Sequence, residues 1–210
     1  MGINLDEIRR ATEKYGGTYK PFFQSELPFK QADPELKEGC CLALCILLAA
    51  NKFEGVIQAY GKTLDQIATG EGSTQQEVSG IMHEQRHVKK PTGKPRDAAE
   101  VFPDYADWME RLAGRYALQL DRGTYRPAGV MAGEIADYIQ AKPGRYIIGL
   151  SGGEKGGHAI SAANLTTQVR FFDPNCGLFF IPGDGFRKWF LTFMYASEYQ
   201  VKYSNFWNAV

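Results

Sequence analysis

The feature that most restricts the fold is a change of character at Pro143-Gly144. Before it, apolar residues recur at helical spacing. Residues 5–15 form an amphipathic segment closed by Gly16-Gly17, and further helices are expected at about 38–52, 73–88, 97–113 and 128–141. Thr74, with Gln76 and Glu77 beyond it, is a good start for the third of these five segments. Residues 21–34 read as an extended, irregular connection. After Gly144 strand signals take over. Residues 145–150, 158–163, 168–172 and 178–181 read as strands, with a Gly-rich turn over 152–157. Residues 184–195 return to helical spacing, with Phe186, Trp189, Phe190 and Phe193 on one side, and 199–203 reads as a closing strand. Helices first and an antiparallel meander second is the α+β pattern, not alternating βαβ units. The chain of 210 residues is long enough to bury one sizeable core. It reads as a single domain with a helical half over about 1–143 and a sheet half over about 144–210.

Charge narrows the function classes. With 24 basic and 24 acidic residues the formal net charge is zero, unlike the basic footprint of a nucleic-acid binder. The short basic run from Lys89 to Arg96 sits among turn residues and reads as a solvated loop. No apolar stretch reaches the roughly 18 residues that a membrane helix needs, and the longest, 40–50, suits a core helix better. The amino terminus lacks the apolar region of a signal peptide. Gly2 is present, but Asp6 breaks the myristoylation pattern.

The four cysteines are Cys40, Cys41, Cys45 and Cys176. Three of them fall on one expected helix, which is not the spacing of a disulfide framework, so reduced thiols are expected. That helix, Gly39-Cys40-Cys41-Leu42-Ala43-Leu44-Cys45-Ile46-Leu47-Leu48, is apolar nearly all round and should be buried. Thiols at its start would meet the positive end of the helix dipole and unpaired backbone N–H groups. Both favour the nucleophilic thiolate, and the N–H groups can also hold an oxyanion. The plainer alternative is that these cysteines are small core residues.

Gly156-Gly157-His158-Ala159-Ile160 sets an imidazole at the start of a strand beside residues too small to block it. Fifteen residues after His158, Asp173 opens Asp173-Pro174-Asn175-Cys176-Gly177. Neighbouring antiparallel strands would bring the two side chains together. Asp173 could then fix the imidazole tautomer and leave the other nitrogen for a thiol. The same five residues are also good turn chemistry by themselves. The order Cys, His, Asp, with the thiol on a buried helix and the other two on a sheet, is the papain arrangement, and the spacing fits it.

These residues resemble a named family. Gly39-Cys40-Cys41-Leu42-Ala43-Leu44 resembles the nucleophile segment of the YopT/AvrPphB cysteine proteases, which are bacterial type III effectors. Gly157-His158-Ala159 resembles their histidine motif, and Phe171-Phe172-Asp173-Pro174-Asn175-Cys176-Gly177-Leu178-Phe179 their aspartate segment. The resemblance runs over about residues 35–205. It implies a papain-like fold with Cys41 as nucleophile, His158 as general base and Asp173 as orienting residue. It also implies a secreted effector that needs no cofactor and cleaves a host signalling protein in the host cytoplasm. The neighbouring Cys40 is the competing thiol. Papain-like enzymes often take an oxyanion donor from a side-chain amide before the cysteine. Here the nearest is Gln31, with Gln24 further back, and the sequence assigns neither.

One rival motif remains. His83-Glu84-Gln85-Arg86-His87 has the His-Glu-x-x-His form, in which two imidazoles bind zinc and the carboxylate activates water. Its charged middle and the Lys89-Lys90-Pro91 that ends the helix suit a surface helix instead. A structural metal site at Cys41, Cys45 and His158 is also disfavoured, because the buried helix offers no paired-cysteine motif. Besides a peptidase, the Cys-His-Asp order fits a transglutaminase-like acyltransferase or deamidase. A papain-like module that only binds a partner is the non-enzymatic alternative. New peptide termini, ammonia release from an intact chain, or no selectively reactive thiol would separate the three.

Overall fold

The computed structural model describes residues 3–27, 40–50, 65, 69, 74–89, 98–120, 124–126, 132–153, 156–199 and 203–209. Gln31, the expected helix start before residue 40 and residues 90–96 of the basic run lie outside the described residues.

Six helices are described: α1 (Leu5–Lys14), α2 (Cys41–Ala50), α3 (Thr74–Lys89), α4 (Ala98–Arg115), α5 (Ala132–Gln140) and α6 (Gly183–Ala196). The strands are β1 (Thr18–Pro21), β2 (Thr124–Arg126), β3 (Gly144–Gly153), β4 (Gly156–Asn164), β5 (Gln168–Asp173), β6 (Gly177–Pro182) and β7 (Tyr203–Ala209). They form one antiparallel sheet in the order β1-β6-β5-β4-β3-β7-β2. The meander β3-β4-β5-β6 is its centre, and segments distant in sequence supply both edges.

Alternation along the strands builds two cores. On one face Ile147, Ala159, Phe172, Leu178 and Phe180 pack with α2. Helix α3 packs on α2, and α4 on α3, so this side is layered. On the other face Tyr146, Ile148, Ile160, Phe171, Phe179 and Ile181 meet α1, α5 and α6. Phe171, Phe179, Trp189 and Phe193 form a ring cluster there, with neighbouring centroids 4.9–6.2 Å apart. Burial on both faces explains why β5 and β6 read as nearly continuous apolar runs. The α+β class expected from the sequence is the one observed. The helices, however, cover both faces of the sheet, because α1 and α5 cross to the side opposite α2.

One expected strand is shifted, and two strands had no counterpart among the expectations. Residues 18–21, at the mouth of the expected irregular connection, form β1 and pair with β6 from Thr18↔Phe180 to Pro21↔Gly177. The closing strand, expected at 199–203, is described at Tyr203–Ala209, where it pairs with β3; residues 200–202 lie outside the described residues. The short edge strand β2, paired with β7, carried no clear sequence signal. Edge strands are placed by the backbone groups a sheet leaves unpaired, not by their own periodicity.

Candidate active site

Helix α2 begins at Cys41, and Leu44 N donates to Cys40 O (3.0 Å), so Cys40 is the capping position. Cys40 is buried and Cys41 is only partly covered. The thiol on the first helical turn is thus the more accessible of the two, among backbone N–H groups that have no intrahelical acceptor. All four thiols are outside any disulfide. Cys45, one turn further on, is fully buried; burial, together with the thiol of Cys41, pushes its pKa well up. Cys45 is thus a core residue.

His158 lies on β4 opposite Leu150 of β3. The pairing of β4 with β5 runs from Ser161↔Phe172 to Asn164↔Val169, so the start of β4 extends beyond the described β5 pairing. Asp173, at the end of β5, shares the sheet face of Phe171, while His158 shares that of Ile160, and these are the same face. The side chains meet at that end of the strands: His158 Nε2 lies 3.1 Å from Asp173 Oδ1. Cys41 is a hydrogen-bond partner of the same imidazole. Since Nε2 faces Asp173, Nδ1 is the nitrogen left for the thiol. The structure therefore brings together Cys41, His158 and Asp173.

The electrostatics follow from burial and charge. Burial works against a charged His158, but the Asp173 carboxylate, by charge and by hydrogen bond, outweighs it with help from Cys41. The net result raises the imidazole from 6.5 to about 10. Asp173 is fully buried, and among the described residues its Oδ2 has no hydrogen-bond partner. Its Oδ1 also accepts from Asn175 N (2.7 Å), which closes a turn. Turn chemistry and histidine contact are therefore not alternatives: one oxygen does both.

Three further polar residues surround this group. Tyr199, just past α6, stacks on His158 (centroids 4.8 Å apart), and its hydroxyl lies 3.1 Å from Nε2. The same hydroxyl accepts from Asn175 Nδ2 at 3.2 Å. Gln24, in the single 3-10 turn Gln24–Glu26 after β1, is buried. Its backbone N donates to Pro174 O (2.7 Å), its Oε1 accepts from Cys40 N (3.0 Å), and its Nε2 donates to Asn175 Oδ1. Burial raises the Tyr199 hydroxyl strongly, and the nearby Asp173 charge adds to this, so it is a neutral phenol at every working pH. Cys176 is likewise raised by burial and by Asp173, and is an inert thiol. The sequence alone gives no sign of these roles: Tyr199 reads as part of a closing strand and Asn175 as a turn residue. Gln24 was one of two amides left open, and it reaches the helix start because β1 docks on β6.

The zinc-like motif is engaged differently. Glu84 makes two 2.7 Å contacts with Arg115 and accepts from Trp108 Nε1 (3.1 Å). Arg115 holds its carboxyl below the ordinary range. His83 and His87 meet edge to face, with centroids 4.6 Å apart, on the exposed side of α3. Glu84 thus fastens α3 to α4. Among the described residues no group of three His, Cys, Asp or Glu side chains could hold a metal ion, and no helix is long and apolar enough to cross a membrane.

Residues 130–206 match the Peptidase_C58 family, described as Yersinia/Haemophilus virulence surface antigen. That stretch contains His158, Asp173 and Tyr199, whereas Cys41 lies before it. The fold is similar to the crystal structure of the Pseudomonas avirulence protein AvrPphB, with a TM-score of 0.63 at 15% identity, over 85% of this chain and 95% of that one. No curated protein matches the chain. The likeness to AvrPphB supports the fold, and the likeness to the Peptidase_C58 family extends over the sheet half of the chain.

Proposed function

We propose that the chain is an endopeptidase in which Cys41 is the nucleophile, His158 the general acid and base, and Asp173 the residue that orients and charges His158. The observation that carries this reading is the contact of one imidazole with both the Cys41 thiol and the buried Asp173 carboxylate. An imidazolium beside the thiol favours the thiolate.

In the reaction, Cys41 Sγ attacks the scissile carbonyl carbon and a C–S bond forms. The oxyanion takes the backbone N–H of Cys41 at the start of α2 and the second N–H of the Gln24 amide, which its bond to Cys40 N holds at that point. As the C–N bond breaks, His158 passes its proton from Nδ1 to the departing amine. Water then attacks the thioester, His158 takes a proton from it, and the acid product leaves with the thiolate–imidazolium pair restored. The effector character of the family supports a protein substrate in a host cell, and a host signalling protein is the proposed class.

The test is to map by mass spectrometry the thiol that iodoacetamide alkylates fastest at neutral pH, and to profile peptide cleavage by wild type, Cys41→Ala and Cys40→Ala. We expect Cys41 to react first. Cys41→Ala should be folded and inactive, and Cys40→Ala should keep most activity. An active Cys41→Ala beside an inactive Cys40→Ala would overturn the assignment.

A further inference from the structure

The side-chain amide of Asn175 touches both halves of the proposed machinery. Its Oδ1 accepts from Gln24 Nε2, and its Nδ2 donates to the Tyr199 hydroxyl (3.2 Å) that lies against His158 Nε2. Its backbone N–H is meanwhile held by Asp173 Oδ1 (2.7 Å), so the residue cannot swing away from either partner. We propose that Asn175 is a positioning residue that sets the oxyanion donor Gln24 and the His158 ring, through Tyr199, from a single amide.

The chemistry needs such a joint. Gln24 arrives on the amino-terminal segment and Tyr199 on the segment after α6, so no shared secondary structure fixes one relative to the other. An amide is suited to the task because it accepts on one side and donates on the other. Neither Asp nor Leu of similar size could do both. With Nε2 protonated, as a general acid at Nδ1 requires, the Nε2–H points between Asp173 Oδ1 and the Tyr199 oxygen. Tyr199 then serves as a second acceptor that favours the imidazolium. The ionisable groups facing His158 are Cys41 from α2, Asp173 from β5 and Tyr199, with Cys176 and Cys45 behind them.

This inference rests on the peptidase reading, and the test separates the two. The chain has 3 histidines, so the His158 ring can be followed by NMR titration without activity. Turnover of p-nitrophenyl acetate reads oxyanion stabilisation without a known peptide substrate. Gln24→Ala should lower kcat for the ester about a hundredfold and leave the His158 titration in place. Tyr199→Phe keeps the stacked ring and should lower the proton affinity of His158 about tenfold, with a smaller loss of kcat. Asn175→Ala should do both: a kcat loss of at least about tenfold with KM little changed, and a His158 titration displaced as in Tyr199→Phe. If Asn175→Ala does not fold, Asn175→Ser carries the same test, since its short hydroxyl reaches neither partner. A folded Asn175 variant that moves only one readout, or neither, overturns the joint role. Absence of a Cys41 acyl-enzyme in the wild type would overturn the peptidase reading instead, whatever the variants do.

Discussion

Replacing Asp173 by Asn removes a charge from beside His158 and keeps nearly the same shape. His158 stands at about 10 against 6.5 for a free imidazole. At about 1.36 kcal/mol per tenfold, that preference for the imidazolium is on the order of 5 kcal/mol. Burial acts against it, and Asp173 is the largest favourable contribution. An opposite charge at this distance ordinarily changes a neighbour's proton affinity by about ten- to a thousandfold. Asp173→Asn should therefore bring His158 down to about 7–9. Near neutral pH much of the imidazolium survives, so kcat/KM should fall by about ten- to a hundredfold, while the alkaline limb of its pH profile moves into that lower range. Asp173→Ala loses ring orientation and the bond to Asn175 N as well, and should approach His158→Ala, about a thousandfold or more down. The stability sign is also fixed. A folded-state value raised above the unfolded one stabilises fully below pH 6.5, and that contribution disappears as pH rises through about 10. The Tm gap between wild type and Asp173→Asn should thus be widest at about pH 6 and close toward pH 10. The assay is kcat/KM for all three variants on one cleaved peptide across pH 5–10, with circular dichroism and melts. A folded, fully active Asp173→Ala, or an Asp173→Asn profile that matches wild type, would refute the reasoning.

Chelators should leave cleavage untouched and iodoacetamide should abolish it. Glu84→Gln should keep full activity and lose about 1 kcal/mol or less, because the pair with Arg115 is half exposed; zinc-restorable loss of activity in that variant would favour the metal mechanism. Gly177 has φ +139°, and a Cβ there would overlap the Lys20 carbonyl of β1. Gly177→Ala should cost at least about 1–3 kcal/mol in melts, and ester turnover should fall too because β1 leads into Gln24. An unchanged kcat in that variant would show that Gln24 is seated without β1.

The β-meander was legible from residue 144 onward because its core strands carry their own signal. Alternating Gly, Val, Ile and Phe residues between turn sequences admit little else. The apolar helix Cys41–Ala50 was legible for the same reason, although its start had to be fixed by the bond from Leu44 N to Cys40 O. The His158–Asp173 meeting was readable because both residues sit on one meander, where register converts sequence separation into distance. The edge strands β1 and β2 were not readable, nor was the extent of β7. β1 and β2 are short, and all three strands pair on backbone groups that β6, β7 and β3 leave open.

Gln24 and Tyr199 belong to this second kind. A lone glutamine after two phenylalanines and a lone tyrosine after a helix carry no pattern, and only docking of their segments brings them to Cys40 and His158. What the sequence determined by itself was the local chemistry: a thiol at a helix start, an imidazole at a strand start and a carboxylate in a turn. What the tertiary structure alone decided was which amide serves the helix start, which ring covers the imidazole, and that Asn175 touches both. Local periodicity is a property of neighbouring residues, whereas a hydrogen bond between residues 24 and 175 depends on every layer that packs between them.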